Sequence, residues 1–285
     1  KLLLTIFTCP LPFEGHRGLI QHNAIKSWIN LESSIQIILT GNEDYIQPIA
    51  DSYNIDYLKG IDCNEYGTPL INSIFNKVIE KSKNDILCYI NSDIILTKSF
   101  LSLKLFINQF EDNFLLIGKR HDMNISHDID FSSEWEKKYY NKCKNDDLLH
   151  ASTGKDYFIF NKGLYHNIPG FAIGRGAWDD WLVYYADKIG AMVIDTTHIF
   201  FIIHQNHDYS HLKTGDNPFK SIESKNNNLL AGNTIYRTNG LTIDDASYFI
   251  LNNTIEKKSR LYLIKRRIIN LLSPFYMIMK RMFTN

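Results

Sequence analysis

The chain has 285 residues, enough for one large domain or two small ones, and its hydrophobic fraction of 44% and charged fraction of 22% are typical of a soluble globular protein. Its formal charge is zero, but residues 257–285 carry eight lysines and arginines and no acid, so the remaining body holds 23 basic against 31 acidic residues, a formal charge of −8. An acidic body argues against nucleic acid as a partner, and because no apolar run reaches about 18 residues, the sequence also excludes a membrane-spanning helix.

Strands and helices alternate through the first 118 residues. The opening KLLLTIFTCP predicts a strand at residues 2–8 and not a signal peptide, because it has no charged leader of normal length and no small-residue cleavage site. The third helix is expected to begin with Thr68 as its N-cap and Pro69 at its first helical position. Further strands are predicted at 35–39, 55–58, 85–96 and 114–118, and helices at 19–31, 46–53, 68–81 and 100–110.

The second half of the chain is less regular. Residues 121–150 are polar with scattered apolar positions, and we interpret them as a surface excursion or lid. Strands follow at 157–160, 191–195 and 198–203, and a glycine-rich approach at 170–176 leads into a helix at 178–188.

These patterns predict an α/β, Rossmann-like fold with a mostly parallel central sheet flanked by helices and a C-terminal helical extension. We expect a main domain at 1–212, with halves at about 1–118 and 119–212, a loop or linker region at 213–254, and a basic amphipathic helical segment at 255–285. Four dispersed cysteines without a CxxC pair indicate a reducing compartment and therefore a cytoplasmic location.

A short polar cluster, Asn91-Ser92-Asp93, interrupts the apolar run DILCYINSDIIL at residues 85–96. The run is typical of a buried central strand, and ligands of α/β proteins bind beyond the carboxyl ends of such strands. An aspartate there is suited to hold a divalent cation against a phosphate group, with a polar neighbour for a ribose hydroxyl. The alternative is that Asp93 caps the turn at 97–99.

Two adjacent acids, Asp179 and Asp180, stand at the start of the helix predicted at 178–188. Neighbouring helix positions point in different directions, so one carboxylate can face a cleft as a general base while the other caps the helix. The alternative is that both acids only complement the helix dipole. Arg175 and Trp178 of the same segment are expected to contact substrate, and Trp178 or Trp181 is suited to offer a flat apolar face to a sugar ring.

A histidine-rich cluster, HQNHDYSH, occupies residues 204–211. Neutral imidazoles are good metal ligands, and a strand that ends at His204 would place its ring near Asp93. If the segment were helical, its three histidines would share one face and favour zinc. The residue types are poor helix formers, so the strand-end interpretation is preferred.

Two loops are expected to contact the base or ribose of a nucleotide. The first is the loop at 8–17 after the first strand, represented by Thr8 and Pro10, and the second is the turn at 42–44, represented by Asn42 and Asp44. Each signal is weak when taken alone.

In combination, these residues resemble the GT-A fold of nucleotide-sugar glycosyltransferases, in particular family 2 enzymes. The similarity is carried by Asn76 placed fifteen residues before Asn91-Ser92-Asp93, by Trp178-Asp179-Asp180-Trp181, and by His204, and it extends to Asn72 in TPLINS. It covers roughly residues 1–211. By this resemblance Asn91 replaces the first acid of a DxD motif, Asp93 binds the metal, and the acids at 179 and 180 match an "ED" motif that supplies the base.

The resemblance implies a metal-dependent hexosyltransferase that uses Mn²⁺ or Mg²⁺ on Asp93 with His204 or His207. Asp179 or Asp180 would deprotonate a hydroxyl of a glycan or lipid-linked acceptor for direct displacement with inversion. A role in polysaccharide biosynthesis is expected. Residues expected to contact the donor or acceptor are Thr8, Pro10, Asn42, Asp44, Asn72, Asn76, Asn91, Ser92, Arg175 and Trp178.

Two other functions remain open. One is a metal-dependent hydrolase built on residues 204–211, and the other is a non-catalytic sugar- or nucleotide-binding module, which the substitution of Asn at 91 keeps in consideration. The basic segment at 257–285 alternates cations with apolar residues and resembles an interfacial helix drawn to anionic lipid, which predicts a peripheral location on the inner face of a membrane. The alternative is a C-terminal helix that packs on the main domain.

Overall fold

The computed structural model describes residues 1–110, 113–132, 134–143, 148–207, 221–232, 241–269 and 272. Its helices are α1 Gly15–Ile29, α2 Ile46–Tyr53, α3 Ile71–Lys81, α4 Trp135–Lys142, α5 Trp178–Lys188 and α6 Ile222–Leu230, with a further helix at 260–269. Its strands are β1 Thr5–Thr8, β2 Gln36–Thr40, β3 Asp56–Leu58, β4 Ile86–Ile90, β5 Ile94–Leu96, β6 Phe114–Ile117, β7 His121–Met123, β8 Tyr157–Asn161, β9 Met192–Asp195, β10 Ile202–Gln205, β11 Tyr248–Leu251 and β12 Thr254–Lys257.

Nine strands of the described chain form one sheet in the order β12-β11-β9-β6-β8-β4-β1-β2-β3. Strands β4, β1, β2 and β3 are parallel, as are β6, β9 and β11, whereas β8 and β12 run antiparallel to their neighbours. The parallel strands are joined by helices, as right-handed crossovers require. The predicted fold class, an α/β protein with a large and mostly parallel central sheet flanked by helices, is confirmed.

Alternation along the strands divides the core between the two faces of this sheet. Phe7 and Tyr89 pack with α3 and α5 on one face, whereas Ile6 and Cys88 pack with α1 and α2 on the other. Successive strand residues point to opposite faces, so strands covered on both sides must be apolar throughout. The run ILCYI meets this requirement, and in TIFT the two central residues, Ile6 and Phe7, do so between two buried threonines.

The prediction of a single strand at 85–96 is wrong. Strand β4 ends at Ile90, and the chain turns at residues 91–93, where the Ile94 amide donates to the Asn91 carbonyl at 3.2 Å. Strand β5 then joins a second, three-stranded sheet in the order β5-β10-β7. The polar cluster Asn91-Ser92-Asp93 therefore lies in the turn between the two sheets. In a strand covered on both faces these polar side chains would have to be buried.

The predicted start of α3 is also wrong. Thr68 and Pro69 precede the helix, which begins at Ile71 after the extended residue Leu70. The Leu70 amide donates to the Asp62 carbonyl, and the Pro69 carbonyl accepts from the Ile173 amide. These backbone pairings hold residues 69–70 in an extended conformation.

The α-helix predicted at 100–110 is replaced by two 3₁₀ segments at Lys98–Leu105 and Ile107–Gln109. Phe100, Leu103 and Phe106 are fully buried. Their spacing of three matches the three residues per turn of a 3₁₀ helix, so each turn buries one side chain.

Two further expectations require correction. The excursion at 121–150 contains β7 and α4, and a third apolar cluster buries Met123, Trp135 and Tyr139 there, so its described residues are not only surface. The loop or linker expected at 213–254 contains α6, β11 and β12 in its described part, and β11 pairs with β9. The main sheet thus continues beyond residue 212.

The C-terminal helical extension is present at 260–269. None of the described helices combines the length and apolar character that crossing a bilayer requires. Most of the basic segment beyond residue 269 lies outside the described residues.

Candidate active site

Strand β10 brings the two described histidines of the 204–211 cluster to Asp93. His204 pairs with Ile94 across the β5–β10 ladder, and the buried Gln205 side chain donates to the Asp93 carbonyl at 3.0 Å. His207 follows two residues after the strand. The polar turn after β4 and the end of β10 are therefore held together by backbone pairing, and the remainder of the cluster, residues 208–211, lies outside the described residues.

Asp93, His204 and His207 form a group that we call the metal-ligand cluster, in which one potential ligand atom from each residue lies within 4.8 Å of the others. His207 Nε2 is 2.9 Å from Asp93 Oδ2, and His204 Nε2 is 3.5 Å from the same oxygen. Burial alone would raise the pKa of Asp93, but hydrogen bonds and charge interactions with the two histidines lower it well below its usual range. The carboxylate is therefore ionised at neutral pH, as a metal ligand must be.

The cluster fits a divalent cation in two respects. Asp93 Oδ1 is buried and has no hydrogen-bond partner among the described residues, although an unsatisfied buried carboxylate oxygen is costly. A carboxylate with two imidazoles is also a donor set that first-row divalent metals accept. The alternative in which Asp93 only caps the turn at 97–99 leaves this oxygen unexplained.

A second group of charged residues, partly or fully buried, lies beside this cluster, and the sequence did not single it out. Arg120 donates from Nε to Asp122 Oδ1 at 2.9 Å and from a terminal nitrogen to Asp156 Oδ2. Asp122 also faces His150 Nδ1 at 2.5 Å and lies 3.0 Å from His204 Nδ1, although that last pair lacks the alignment of a hydrogen bond. We call these four residues, Arg120, Asp122, His150 and Asp156, the Arg120 network. Such outer contacts orient metal-ligating histidines.

Asn91 is held by this network. Its side-chain amide donates to Asp156 Oδ1 at 2.9 Å, and its side-chain oxygen accepts from the Tyr89 hydroxyl at 3.3 Å. An aspartate at position 91 would face the Asp156 carboxylate at this distance, and two like charges in a buried site repel each other. An asparagine, and not the acid that the resemblance would place at position 91, therefore suits a neighbour that is itself an acid. Ser92 is half-buried in the same turn.

Asp179 and Asp180, the acid pair, share one buried cation, Lys155. Its Nζ is 2.6 Å from Asp180 Oδ1 and 3.5 Å from Asp179 Oδ2, and its side chain is 1% exposed. Burial, followed by the charge of Asp179, raises the pKa of Asp180 to about 7, while Lys155 opposes the shift. A carboxylate that titrates near neutral pH is suited to accept a proton from a hydroxyl.

Lys155 and Asp156, which directly precede the buried strand β8, connect the two charged groups. Lys155 holds the acid pair, and Asp156 belongs to the Arg120 network. Two adjacent opposite charges immediately before an apolar strand were the sequence signal that could have identified them. Tyr89 links the groups a second time, because its hydroxyl contacts Asn91 and its ring packs on Trp178 at a centroid distance of 5.3 Å.

The glycine-rich approach to α5 has a backbone reason. Gly174 has a φ of +68° and Ala177, the residue before the helix, has a φ of +81°, so the chain enters α5 through left-handed conformations. Arg175 does not extend freely toward a ligand, because its guanidinium pairs with Glu223 of α6 at 2.6 Å.

The sugar platform expected from the tryptophans is not present. Trp178 is only 6% exposed and packs against Tyr89 and Phe158, and Trp181 stacks on Tyr185. Both indole rings are part of the core that fixes α5, so Trp178 has no free face to offer.

The candidates for nucleotide contact divide into two sets. Thr8 and Asn72 each have a buried side-chain oxygen without a hydrogen-bond partner among the described residues, and Pro10 is buried just beyond β1. Such oxygens lack the partner that a bound ligand would supply. Asn72 stands in the first turn of α3, whose preceding residue bridges to Ala172.

The other candidates are less favourably placed. The Asn42 side chain is occupied by the Ile61 carbonyl at 2.6 Å and the Gly60 amide at 2.9 Å. Asp44 is fully exposed beside Lys59, and Asn76 is exposed on α3. Among the described residues, no contact joins Asn42, Asp44 or Asn76 to the metal-ligand cluster.

The same architecture occurs in solved structures. The chain is similar over 95% of its length to TarS 1–349 from S. aureus, solved in complex with UDP-GlcNAc, with a TM-score of 0.56, 12% sequence identity and coverage of 73% of that chain. It is also similar to GalNAc-T7, solved with UDP, GalNAc and Mn²⁺, with a TM-score of 0.50, 14% identity, and coverage of 81% of this chain and 48% of that one. At these identities the likeness shows the fold, which is the GT-A-like fold expected from the motifs.

No protein-family model and no curated protein matches the sequence.

Proposed function

We propose that the chain is a nucleotide-sugar glycosyltransferase. The observation that carries this proposal is the metal-ligand cluster, with its unsatisfied Asp93 oxygen, at the carboxyl end of β4 in a GT-A-like fold. Ligands of open α/β sheets bind at this edge. Both similar structures named above were solved with a uridine nucleotide or its sugar, and one also with Mn²⁺, so a UDP-sugar is the first donor to test.

Asp93, His204 and His207 would hold the divalent cation. When bound, such a cation supplies Lewis-acid stabilisation of the charge on the leaving diphosphate. The two imidazoles favour Mn²⁺ over Mg²⁺, because Mg²⁺ prefers an all-oxygen shell. Asp122, itself paired with Arg120, lies beside the His204 ring, and Asp156 would hold Asn91 in place for a ribose hydroxyl.

The acid pair would act on the acceptor. Asp179 or Asp180 takes the proton of an acceptor hydroxyl, the hydroxyl oxygen forms a bond to the anomeric carbon, and the bond from that carbon to the diphosphate breaks, with inversion. We propose a hydroxyl of a glycan or of a lipid-linked molecule as the acceptor, and a hexose as the transferred sugar. Thr8, Pro10, Asn72 and Ser92 are proposed donor contacts.

A cytoplasmic location at the inner face of a membrane completes the proposal. All four cysteines are free, as expected in a reducing compartment. A function in polysaccharide biosynthesis fits this location and the proposed acceptors.

The proposal is tested by UDP release from UDP-GlcNAc and related UDP-sugars in the presence of Mn²⁺. Asp93→Ala and Asp179→Asn, which leaves Lys155 its closer partner Asp180, should lose turnover and still fold, whereas Asp51→Ala, at an exposed position on α2, should keep it. Full turnover in both site variants would overturn the assignment. Tightly held zinc together with hydrolysis of substrates other than nucleotide sugars would favour the hydrolase instead, and nucleotide binding without turnover would favour a binding module.

A further inference from the structure

The helix at 260–269 carries a row of apolar residues on the side that faces away from the protein. Leu261 is 78% exposed, Ile264 45% and Ile268 51%. Their spacing of three and four residues places them in one row along a helix. We call these three residues the outer stripe.

The opposite side of the same helix is attached to the main domain. Arg266 donates to Asp245 Oδ1 at 3.0 Å and to Thr242 Oγ1 at 3.0 Å, and the Tyr262 hydroxyl donates to the Asp244 carbonyl at 3.2 Å. Leu263 and Arg266 are only partly exposed. The helix is therefore fixed in an orientation that leaves the outer stripe in solvent, which burial against this domain alone does not explain.

The charged residues next to the outer stripe indicate what kind of surface it binds. Arg260, Lys265 and Arg267 are exposed on this helix, and no acid occurs anywhere from residue 257 to the end of the chain. An exposed apolar row flanked by cations is suited to the interface of an anionic bilayer, where apolar side chains enter the acyl boundary and cations meet phosphate groups. Residues 1–256 have a formal charge of −8, so an anionic surface attracts the basic segment and not the rest of the chain as a whole.

The contacts between this helix and α5 indicate how a docked bilayer would be oriented relative to the rest of the protein. Leu263, Arg266 and Arg267 line a small cavity of about 40 Å³ together with Val183 and Asp187 of α5. Asp187 lies on the helix whose first turn carries the acid pair, about 10 Å along its axis from Asp180 at 1.5 Å per residue. A bilayer in contact with the outer stripe would thus lie on the far side of this helix from α5, about one helix diameter of 10 Å away from the carboxyl end of α5.

We propose that the outer stripe is a docking surface for an anionic lipid bilayer, and that docking places the carboxyl end of α5 about one helix diameter from the lipid, nearer than α2 on the main domain. The surface specifies how the membrane location proposed above would be reached, and it is built from residues that belong neither to the metal-ligand cluster nor to the acid pair.

The test is co-sedimentation of the full chain with phosphatidylcholine vesicles, with and without phosphatidylglycerol. Wild type should bind the anionic vesicles, bind pure phosphatidylcholine weakly, and dissociate as salt is raised. Leu261→Ser/Ile264→Ser/Ile268→Ser should lose about tenfold or more in partitioning. Leu3→Ser/Leu105→Ser/Ile222→Ser, which changes equally exposed apolar residues elsewhere, should bind like wild type.

A second measurement tests which part of the protein lies near the lipid. In a Cys63→Ser background, which removes the exposed native thiol, a fluorophore on Lys188→Cys, at the end of α5, should be quenched by brominated lipid, whereas one on Ser52→Cys on α2 should not. Binding of the stripe variant equal to wild type, quenching at Ser52 alone, or a dimer in solution that only the stripe variant abolishes would overturn the proposal. The assay needs neither nucleotide nor metal, so its failure would leave the proposed transferase function standing.

Discussion

Lys155 is the residue on which the acid pair depends most directly. Its ammonium is buried and faces two carboxylates, so Lys155→Met leaves uncompensated negative charge in the core. Removing one partner of a buried ion pair costs about 3 kcal/mol of unfolding free energy. Urea denaturation should show that loss, and Lys155→Met/Asp180→Asn should recover most of it.

The matched control is Lys81→Met. Lys81 pairs with Glu80 at 3.5 Å, but both side chains are more than 60% exposed, so the change should cost under about 0.5 kcal/mol. Equal losses for the two lysine variants would show that Lys155 is not a partner of the acid pair in the folded protein.

The raised pKa of Asp180 predicts a dependence of stability on pH. A buried carboxyl with a folded pKa of about 7 favours its protonated form, so its contribution is complete below the unfolded value of about 4 and is lost as pH rises through 7. The unfolding free energy of wild type should therefore fall relative to that of Asp180→Asn as the pH rises from 4 to 7. A difference that is constant over this range would contradict the raised pKa.

At the scale of elements, α6 holds the segment that leads into α5. The Asn227 side chain is buried, accepts from the Ala172 amide at 2.9 Å, and donates to the Ala172 and Gly176 carbonyls at 3.0 and 3.1 Å. Asn227→Ala leaves these backbone groups without partners, at a cost of about 2 kcal/mol. Turnover should fall as well, because the acid pair follows directly on this segment.

Asn226→Ala is the control, since Asn226 is exposed on the same helix. It should change neither the denaturation midpoint nor turnover. If the two variants behave alike, α6 does not position the approach to α5.

Element types followed from sequence where one local pattern decided them. Apolar runs such as IQIIL predict strands, and Ile71, Ile74, Phe75 and Val78 at helical spacing predict α3, because burial of these residues is the dominant local requirement. The start of α3 and the break after Ile90 were missed, since both depend on pairing with distant strands. The 3₁₀ segments show the same limit, because a row of buried residues every three positions is close to an α-helical row.

At the scale of the whole molecule, the sequence predicts which polar clusters meet but not what surrounds them. The sequence placed His204 near Asp93 from the ends of the predicted strands, and the two residues do meet, but through the pairing of β10 with β5 in the second sheet, which was not predicted. Arg120, Asp156 and Lys155 were missed, because each is one charge in a polar stretch until the sheet brings their partners together. Trp178 was misinterpreted, since an aromatic residue beside two acids has the same pattern whether it is buried or exposed.

The central claim is that the metal-ligand cluster forms part of a nucleotide site, and titration calorimetry of UDP tests it most directly. Wild type should bind UDP in Mn²⁺, and binding should weaken at least about tenfold in EDTA or in Asp93→Asn, which preserves shape but removes the charged ligand. Absence of UDP binding by the folded wild type, or binding that is the same with and without Mn²⁺ and in Asp93→Asn, would contradict the claim.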